Sequence, residues 1–305
     1  MKDRKVKNIA ASVRQRLLNA AKSSGRPFQE VLQYFAMERF LYRLAQTGHA
    51  DKLVLKGALM LTVWRASTTR PTRDIDFLGR MQNSIEQVAG AVRDACRQSV
   101  EPDGLVFDAE SIGGTNIKED ADYEGVRISF RGYLENVPIP MRVDVAFGDV
   151  LFPVPPMTDY PTILDHAAPR LQVYSRESAI AEKFEAMVKL GQLNSRMKDF
   201  YDIWVLSRQF EFDGPTLVEA IEKTFSHRGT TITPEPTAFS LAFASEPSKV
   251  TQWQAFLRKS KLQDAPSDLS LVVQAIAAFL GPPAAALNER RHFPHIWNAP
   301  GPWVS

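Results

Sequence analysis

The sequence predicts an α+β protein, and three observations carry that reading. Short strand-like runs crowd residues 53–147, helical periodicity precedes them, and a proline-rich stretch divides them from a second half whose pattern is helical throughout. At 305 residues the chain has room for one large domain or two ordinary ones, and the prolines place the division so that 1–160 and 161–305 form the two parts. Composition is that of a globular chain, 44% hydrophobic and 24% charged. No apolar run near the roughly eighteen residues of a membrane span stands out, and no apolar segment follows the basic start, so neither a membrane association nor a secretory leader is expected. Cys96 is the single cysteine, which rules out an intrachain disulfide and fits a reducing, cytoplasmic location.

Taken in order, Ile9 to Ala21 and Pro27 to Ala45 read as helices. The second has a broad stripe of Val31, Leu32, Phe35, Met37, Phe40, Leu41 and Leu44 that breaks at Thr47-Gly48. Leu53-Val54-Leu55 suits a buried strand, Lys56-Gly57 turns the chain, and Ala58 to Arg65 contains helix formers. A glycine opening a helix lets a ligand approach backbone N–H groups, so Lys56, Gly57 and Ala58 are a candidate phosphate seat. After Pro71 comes Asp74-Ile75-Asp76-Phe77-Leu78, whose alternation puts both carboxylates on one face and Ile75 with Phe77 on the other. Neighbouring carboxylates repel unless a cation lies between them, an arrangement that suits Mg²⁺. A D-x-D pair also occurs on exposed strands where both acids face water, so the pair needs a third acid and a phosphate-binding cation elsewhere.

Ile85 to Val100 reads as a helix and Leu105 to Glu110 as a strand. Val126, Ile128 and Phe130 alternate with Arg127, Ser129 and Arg131; beyond Asn136 and Pro138, Ile139, Met141, Val143, Val145 and Phe147 share one face while Arg142 and Asp144 share the other. Asp144 is the third acid, provided its strand pairs with the one carrying Asp74 and Asp76; a surface charge pair with Arg142 is the competing account. Pro153, Pro155, Pro156, Pro161 and Pro169 exclude a continuous helix or central strand.

In the second half, Glu177 to Gly191 places Ile180, Phe184, Met187 and Val188 on an apolar face with Glu182, Glu185 and Lys189 away from it. Lys183 falls at the edge of the buried arc, where an ammonium must meet an anion or snorkel to water. Asn194-Ser195 supplies an N-cap for Met197 to Arg208, in which Asp199 lies at the margin of the stripe, Asp202 further toward solvent, and Arg196 and Lys198 flank the start. Leu217 to Phe225, Lys249 to Ser260 and Leu269 to Leu280 complete the helices, with Trp253, Phe256 and Leu257 as core and His292 and His295 as surface residues. No G-x-S-x-G, Walker A motif or internal repeat is present.

Net charge is only +2, but residues 1 to 28 contain Lys2, Arg4, Lys5, Lys7, Arg14, Arg16, Lys22 and Arg26 against Asp3 alone. That run suits either a phosphate backbone or a solvated helical face.

The ordered set Lys56-Gly57, Asp74-x-Asp76, Asp144, Ala181-Glu182-Lys183 and Asn194-Ser195-Arg196-Met197-Lys198-Asp199-Phe200-Tyr201-Asp202 resembles the AbiEii/AbiGii nucleotidyltransferase toxins of type IV toxin–antitoxin and abortive-infection systems. The resemblance extends from Glu38-Arg39-Phe40-Leu41-Tyr42-Arg43-Leu44 to Trp253-x-x-Phe256. It implies a mixed sheet of the DNA-polymerase-β nucleotidyltransferase type joined to a helical domain that completes an active-site cleft. By the same resemblance Asp74 and Asp76, with Asp144, hold Mg²⁺ or Mn²⁺; Lys183 neutralises a nucleoside triphosphate; Asp199 matches the acid of the K-D-x-Y-D motif; and Arg196 and Lys198 assist substrate binding. A Gly-Ser common in the wider superfamily is Gly57-Ala58 here, so a phosphate-binding hydroxyl is missing. Members of the MenT branch modify tRNA ends, which makes tRNA the leading acceptor, and a cognate antitoxin the expected partner. Two other functions stay open: the same chemistry on a protein side chain or small molecule, and a silent nucleotide- or RNA-binding partner.

Overall fold

The alternating runs build one five-stranded sheet, described here from a computed structural model that covers residues 8–67, 70–120, 123–233, 235–262 and 264–305. The chain forms two compact units. The first takes the chain up to Trp64, then Pro71–Gly148 and Pro156–Val173; the second takes Arg65–Arg70, Asp149–Pro155 and Tyr174–Ser305. The proline-rich stretch is therefore shared, its early part grouping with the second unit and its later part with the first.

The first unit contains α1 (Ile9–Ser24), α2 (Phe28–Ala45), β1 (Leu53–Lys56), α3 (Leu59–Val63), β2 (Ile75–Gly79), α4 (Ile85–Arg97), β3 (Leu105–Asp120), β4 (Tyr123–Leu134), β5 (Val137–Phe147), β6 (Met157–Asp159) and β7 (Arg170–Gln172). The large sheet has the order β1-β2-β5-β4-β3. Only the β2–β5 pair is parallel, so the sheet is mixed. The buried alternate residues of β5, Ile139, Met141, Val143 and Val145, face a helical layer in which α2 packs on β5 and α4 on β3 and β4. Phe40 of α2 enters between Phe107 and Phe130, at 5.8 and 5.0 Å between ring centroids, and closes that layer. The other face of β3, β4 and β5 leaves Ser129, Arg131, Pro138, Pro140 and Arg142 exposed. β6, inside the proline-rich stretch, and β7, just after it, form a separate two-stranded ribbon, which agrees with the exclusion of a continuous helix or central strand there.

The apolar stripe of α2 hides an ion network that periodicity did not expose. Arg39 and Arg43 both donate to Asp103, Arg43 in bidentate fashion at 2.6 and 2.9 Å, and Glu38 accepts from the N–H of Ile163 at 2.7 Å. All four side chains are buried. Burial raises the Glu38 carboxyl from 4.5 to about 7, against the opposing pull of the Ile163 N–H and Arg39. Between those two values the folded chain binds the extra proton. Stability contributed by this group is thus complete below pH 4.5 and lost as pH rises through 7, a change of about 3 kcal/mol. Glu38→Gln should flatten the fall in melting temperature between pH 5 and 8; an unchanged slope would contradict this assignment.

The second unit contains α5 (Arg176–Leu190), α6 (Met197–Gln209), β8 (Phe212–Asp213), α7 (Gly214–Arg228), α8 (Leu241–Ser245), α9 (Pro247–Ser260), α10 (Leu269–Asn288), β9 (Ile296–Trp297) and β10 (Trp303–Val304). Its helices start where local chemistry stops the unpaired N–H groups: Ser175 caps α5, Asp213 with Pro215 opens α7, and Asp268 caps α10. The second half is not helical to its end. β8, β9 and β10 form a small antiparallel sheet whose Trp297 and Trp303 pack on Phe279 of α10. Nor does α10 stop at Leu280; it continues through Pro282 and Pro283 as twenty uncharged residues. By length and composition this helix could cross a membrane, which corrects the expectation that no such run exists, yet half of its most apolar stretch is buried in the protein. Leu269, Val272, Val273, Ile276, Phe279 and Leu280 are its buried face.

Candidate active site

β1 ends at Lys56 and the chain turns at Gly57 with φ of 75°, a conformation costly for any residue with a Cβ. The space above Gly57 belongs to Asp76: a Cβ there would lie 2.0 Å from Asp76 Oδ2. Lys56 stands opposite Asp76 in the β1–β2 register and is itself buried. Ala58, also buried, precedes α3, which spans five residues rather than the eight predicted. So short a helix has little dipole, and the close approach permitted by Gly57 is made by a carboxylate of the chain itself. Gly57→Ala is expected to displace Asp76 and to destabilise the first unit by about 1–3 kcal/mol. An unaltered melting temperature would count against this role.

Asp74 and Asp76 lie on one face of the chain entering β2, and Asp76 is the register partner of Asp144 across the parallel β2–β5 pair. The strand pairing required of a third acid is therefore present. Arg142 is not the partner of Asp144, contrary to the competing sequence account; it donates to Asp74 at 3.1 Å. Asp144 is held instead by Arg127 of β4, its cross-strand neighbour, through two bonds of 2.8 and 2.6 Å. The Asp144 bond and the fields of Asp144, Asp74 and Asp76 raise the Arg127 pKa above its ordinary value, although burial opposes this. All three carboxylates thus act on one guanidinium. Arg127 was missed in the sequence because it reads as one polar position of an alternating strand; only the register sets it opposite Asp144.

The second unit contains the other charged residues singled out in the sequence, in a cluster of its own. Lys183 of α5 lies 3.2 Å from Asp199 and 3.1 Å from Asp202, both on α6. Arg196 Nε is 2.6 Å from Asp199, and Arg70 makes a bidentate pair with Asp202 at 2.7 and 3.0 Å. Asp202 is buried, not turned to solvent as its wheel position suggested. Glu185, also assigned away from the core, is buried beneath Arg228 and Thr230. Burial disfavours charge in the Lys183–Asp199–Asp202 cluster, but the opposing partners win: Lys183 is held above its usual range, and Asp199 and Asp202 below theirs. Lys183, Arg196 and Arg70 thus surround the two carboxylates. Lys198 is exposed and reaches Asp199 only through its field. Asn194 does not cap α6 itself; its Oδ1 accepts from the N–H of Arg196, the N-cap residue.

Among the described residues no group of three or more His, Cys, Asp or Glu side chains forms a ready metal cage. His292 is exposed and His295 half-buried. Of the basic N-terminal run, Lys2, Arg4, Lys5 and Lys7 lie outside the described residues, while Arg16 pairs with Asp165 and Arg26 with Glu30.

A mixed sheet with a D-x-D pair on the strand parallel to a third acid, accompanied by a helical unit, defines a nucleotidyltransferase fold. A family model for the nucleotidyl transferase AbiEii toxin of type IV toxin–antitoxin systems matches residues 39–280, and the chain belongs to that family. Two similar crystal structures come from Helicobacter pylori. One, JHP933, aligns with TM-score 0.50 at 16% identity over 86% of this chain and 97% of its own. The other, described as a candidate nucleotidyltransferase, aligns with TM-score 0.48 at 16% identity over 87% of this chain and 99% of its own. No curated protein matches the chain significantly. Family membership makes this a nucleotidyltransferase toxin, with a nucleoside triphosphate as substrate and an antitoxin as partner.

Proposed function

We propose that the protein transfers a nucleoside monophosphate from a triphosphate to the 3′ hydroxyl of tRNA in the cytoplasm, and that it does so with Mg²⁺ or Mn²⁺. The observation that carries this reading is the convergence of Asp74, Asp76 and Asp144 on Arg127. It marks a place on the sheet that gathers positive charge. Asp74 and Asp76 are hard oxygen donors of the kind Mg²⁺ takes; that ion commonly binds one or two carboxylates together with substrate phosphates, so a complete protein cage is not required. The residues fit the ion: Asp74 and Asp76 would hold it, with Asp144 available as a third ligand if Arg127 yields its oxygens. When bound, such a cation orients phosphates and offsets the charge that builds on them during transfer.

The chain's own residues have the remaining tasks. Gly57 keeps the space that lets Asp76 take its position, Lys56 and Ala58 frame that turn, and Arg142 orients Asp74. In the second unit Lys183, aided by the exposed Lys198, is the cation we assign to the triphosphate, and Asp199 holds Lys183 charged and oriented. Attack by the acceptor oxygen on the α-phosphorus forms the new P–O bond as the bond to pyrophosphate breaks.

The acceptor is tested by mixing purified protein, Mg²⁺, each α-labelled triphosphate and either total tRNA or a cell protein extract. Label on tRNA is expected. Neutralising Lys2, Arg4, Lys5 and Lys7 together should reduce tRNA labelling more than triphosphate binding, with a shallower salt dependence. Label on protein alone would transfer the proposal to a protein acceptor, and label on neither would return it to a silent partner. Antitoxin-controlled growth arrest of the abortive-infection kind is the biological setting we infer.

A further inference from the structure

Away from the helical layer, the outer part of the sheet is open at Ser129 and Arg131 of β4 and at Pro138, Pro140 and Arg142 of β5. On this face of β3, β4 and β5 the register sets out rows that run toward the carboxylates: Tyr133 beside Pro138, Arg131 beside Pro140, Ser129 beside Arg142, and Arg127 beside Asp144. Arg131, Ser129, Pro140 and Arg142 are exposed, and Val106, across from Tyr133 on β3, is 65% exposed. Tyr133 to Arg127 covers about 20 Å at the usual strand rise. That is the length of a short single-stranded end.

We propose that this open face is the track on which the acceptor RNA lies, its 3′ end directed along the strands to Asp74, Asp76 and Asp144; the inference rests on the nucleotide-transfer reading above. Charge complementarity selects RNA. Arg142 and Arg127 already serve the acids Asp74 and Asp144, whereas Arg131 is available to a phosphate; Asp108, across from it on β3, accepts from the N–H of Glu110 through Oδ1. Tyr133, flanked by Val106 and Pro138, offers a flat apolar surface on which a base can stack, the combination by which open sheets take single-stranded RNA. An apolar patch intended for a protein would not need an arginine row that ends at three carboxylates.

The test uses the full chain and the variants Arg131→Glu, Arg131→Lys, Tyr133→Ala and Tyr133→Phe. Binding of tRNA and of a short single-stranded RNA is followed by fluorescence anisotropy across salt concentrations, and transfer is measured at varied RNA. Arg131→Glu should weaken RNA binding by about tenfold at low salt and reduce the salt slope by about one, with the RNA KM rising more than kcat falls. Arg131→Lys should retain most binding, as should Tyr133→Phe, whereas Tyr133→Ala should not. Melting temperatures equal to wild type verify folding. If wild type labels RNA and the Arg131→Glu and Tyr133→Ala proteins bind it unchanged, the track is refuted and the transfer reading stands. If wild type neither binds nor labels RNA, both fall. Variants that keep RNA affinity but lose the antitoxin would assign the face to protein and overturn the proposal.

Discussion

Asp74→Ala and Asp76→Ala are expected to lower nucleotide transfer by at least about 1000-fold, some 4 kcal/mol of barrier, while the chain still folds. Each removes an oxygen donor from the pair that would hold the cation. The structural cost is small at Asp74, whose partner Arg142 is 47% exposed and returns to water at roughly 1 kcal/mol or less. At Asp76 the truncation leaves empty the space that Gly57 keeps for the carboxylate, with no clash introduced. Transfer rates with each labelled triphosphate, set beside thermal melting, separate loss of chemistry from loss of fold. Near wild-type transfer by the Asp74→Ala protein would end the assignment of these acids.

Lys183→Ala should act on both stability and turnover. The side chains of Asp199 and Asp202 are almost wholly buried, and losing Lys183 removes the cation that both of them share. Breaking a buried charge network of this kind costs about 3–5 kcal/mol. The sign of its pH dependence is defined. Asp199 and Asp202, depressed in the fold, contribute above their unfolded value of 3.8 and lose that contribution as pH falls below it; Lys183, raised, contributes below 10.5 and loses its share above. The deficit of the variant should therefore be equal at pH 6 and pH 8, unlike that of Glu38. Lys189 on the exposed side of α5 provides the control, and Lys189→Ala should change neither property appreciably. Equal, small effects from both lysines would show that Lys183 is not part of a functional cluster. Lys183→Arg should recover stability more fully than turnover, because charge is retained while the donor geometry changes.

Much of the fold was legible because the strands of the first unit alternate cleanly, and alternation reports directly which side of a sheet is wet. Asp144 could be singled out on that basis before any pairing was known. What could not be read was the identity of its partner: Arg127 is set opposite Asp144 by a β4–β5 register that no local pattern announces. Helix wheels failed in a different way. They placed Asp202 and Glu185 away from the core because a wheel knows only its own helix, yet Asp202 is met by Arg70, 132 residues earlier, and Glu185 by Arg228, 43 residues later. Charged residues met by distant charged residues look like solvent positions in sequence. The same holds for Arg39 and Arg43, whose common counter-ion Asp103 lies some sixty residues further on. The small β8–β9–β10 sheet was invisible because two-residue strands have no period.

The central claim is that the carboxylate face of the sheet serves attack at the α-phosphorus of a triphosphate. The most direct measurement compares α-labelled with γ-labelled triphosphate in one reaction with tRNA, Mg²⁺ and the full chain. The account predicts that α label becomes covalently attached to the tRNA 3′ end and γ label appears as pyrophosphate, with both signals lost in Asp76→Ala. Transfer of the γ label to any acceptor, or α labelling of tRNA that persists in Asp76→Ala, would contradict it.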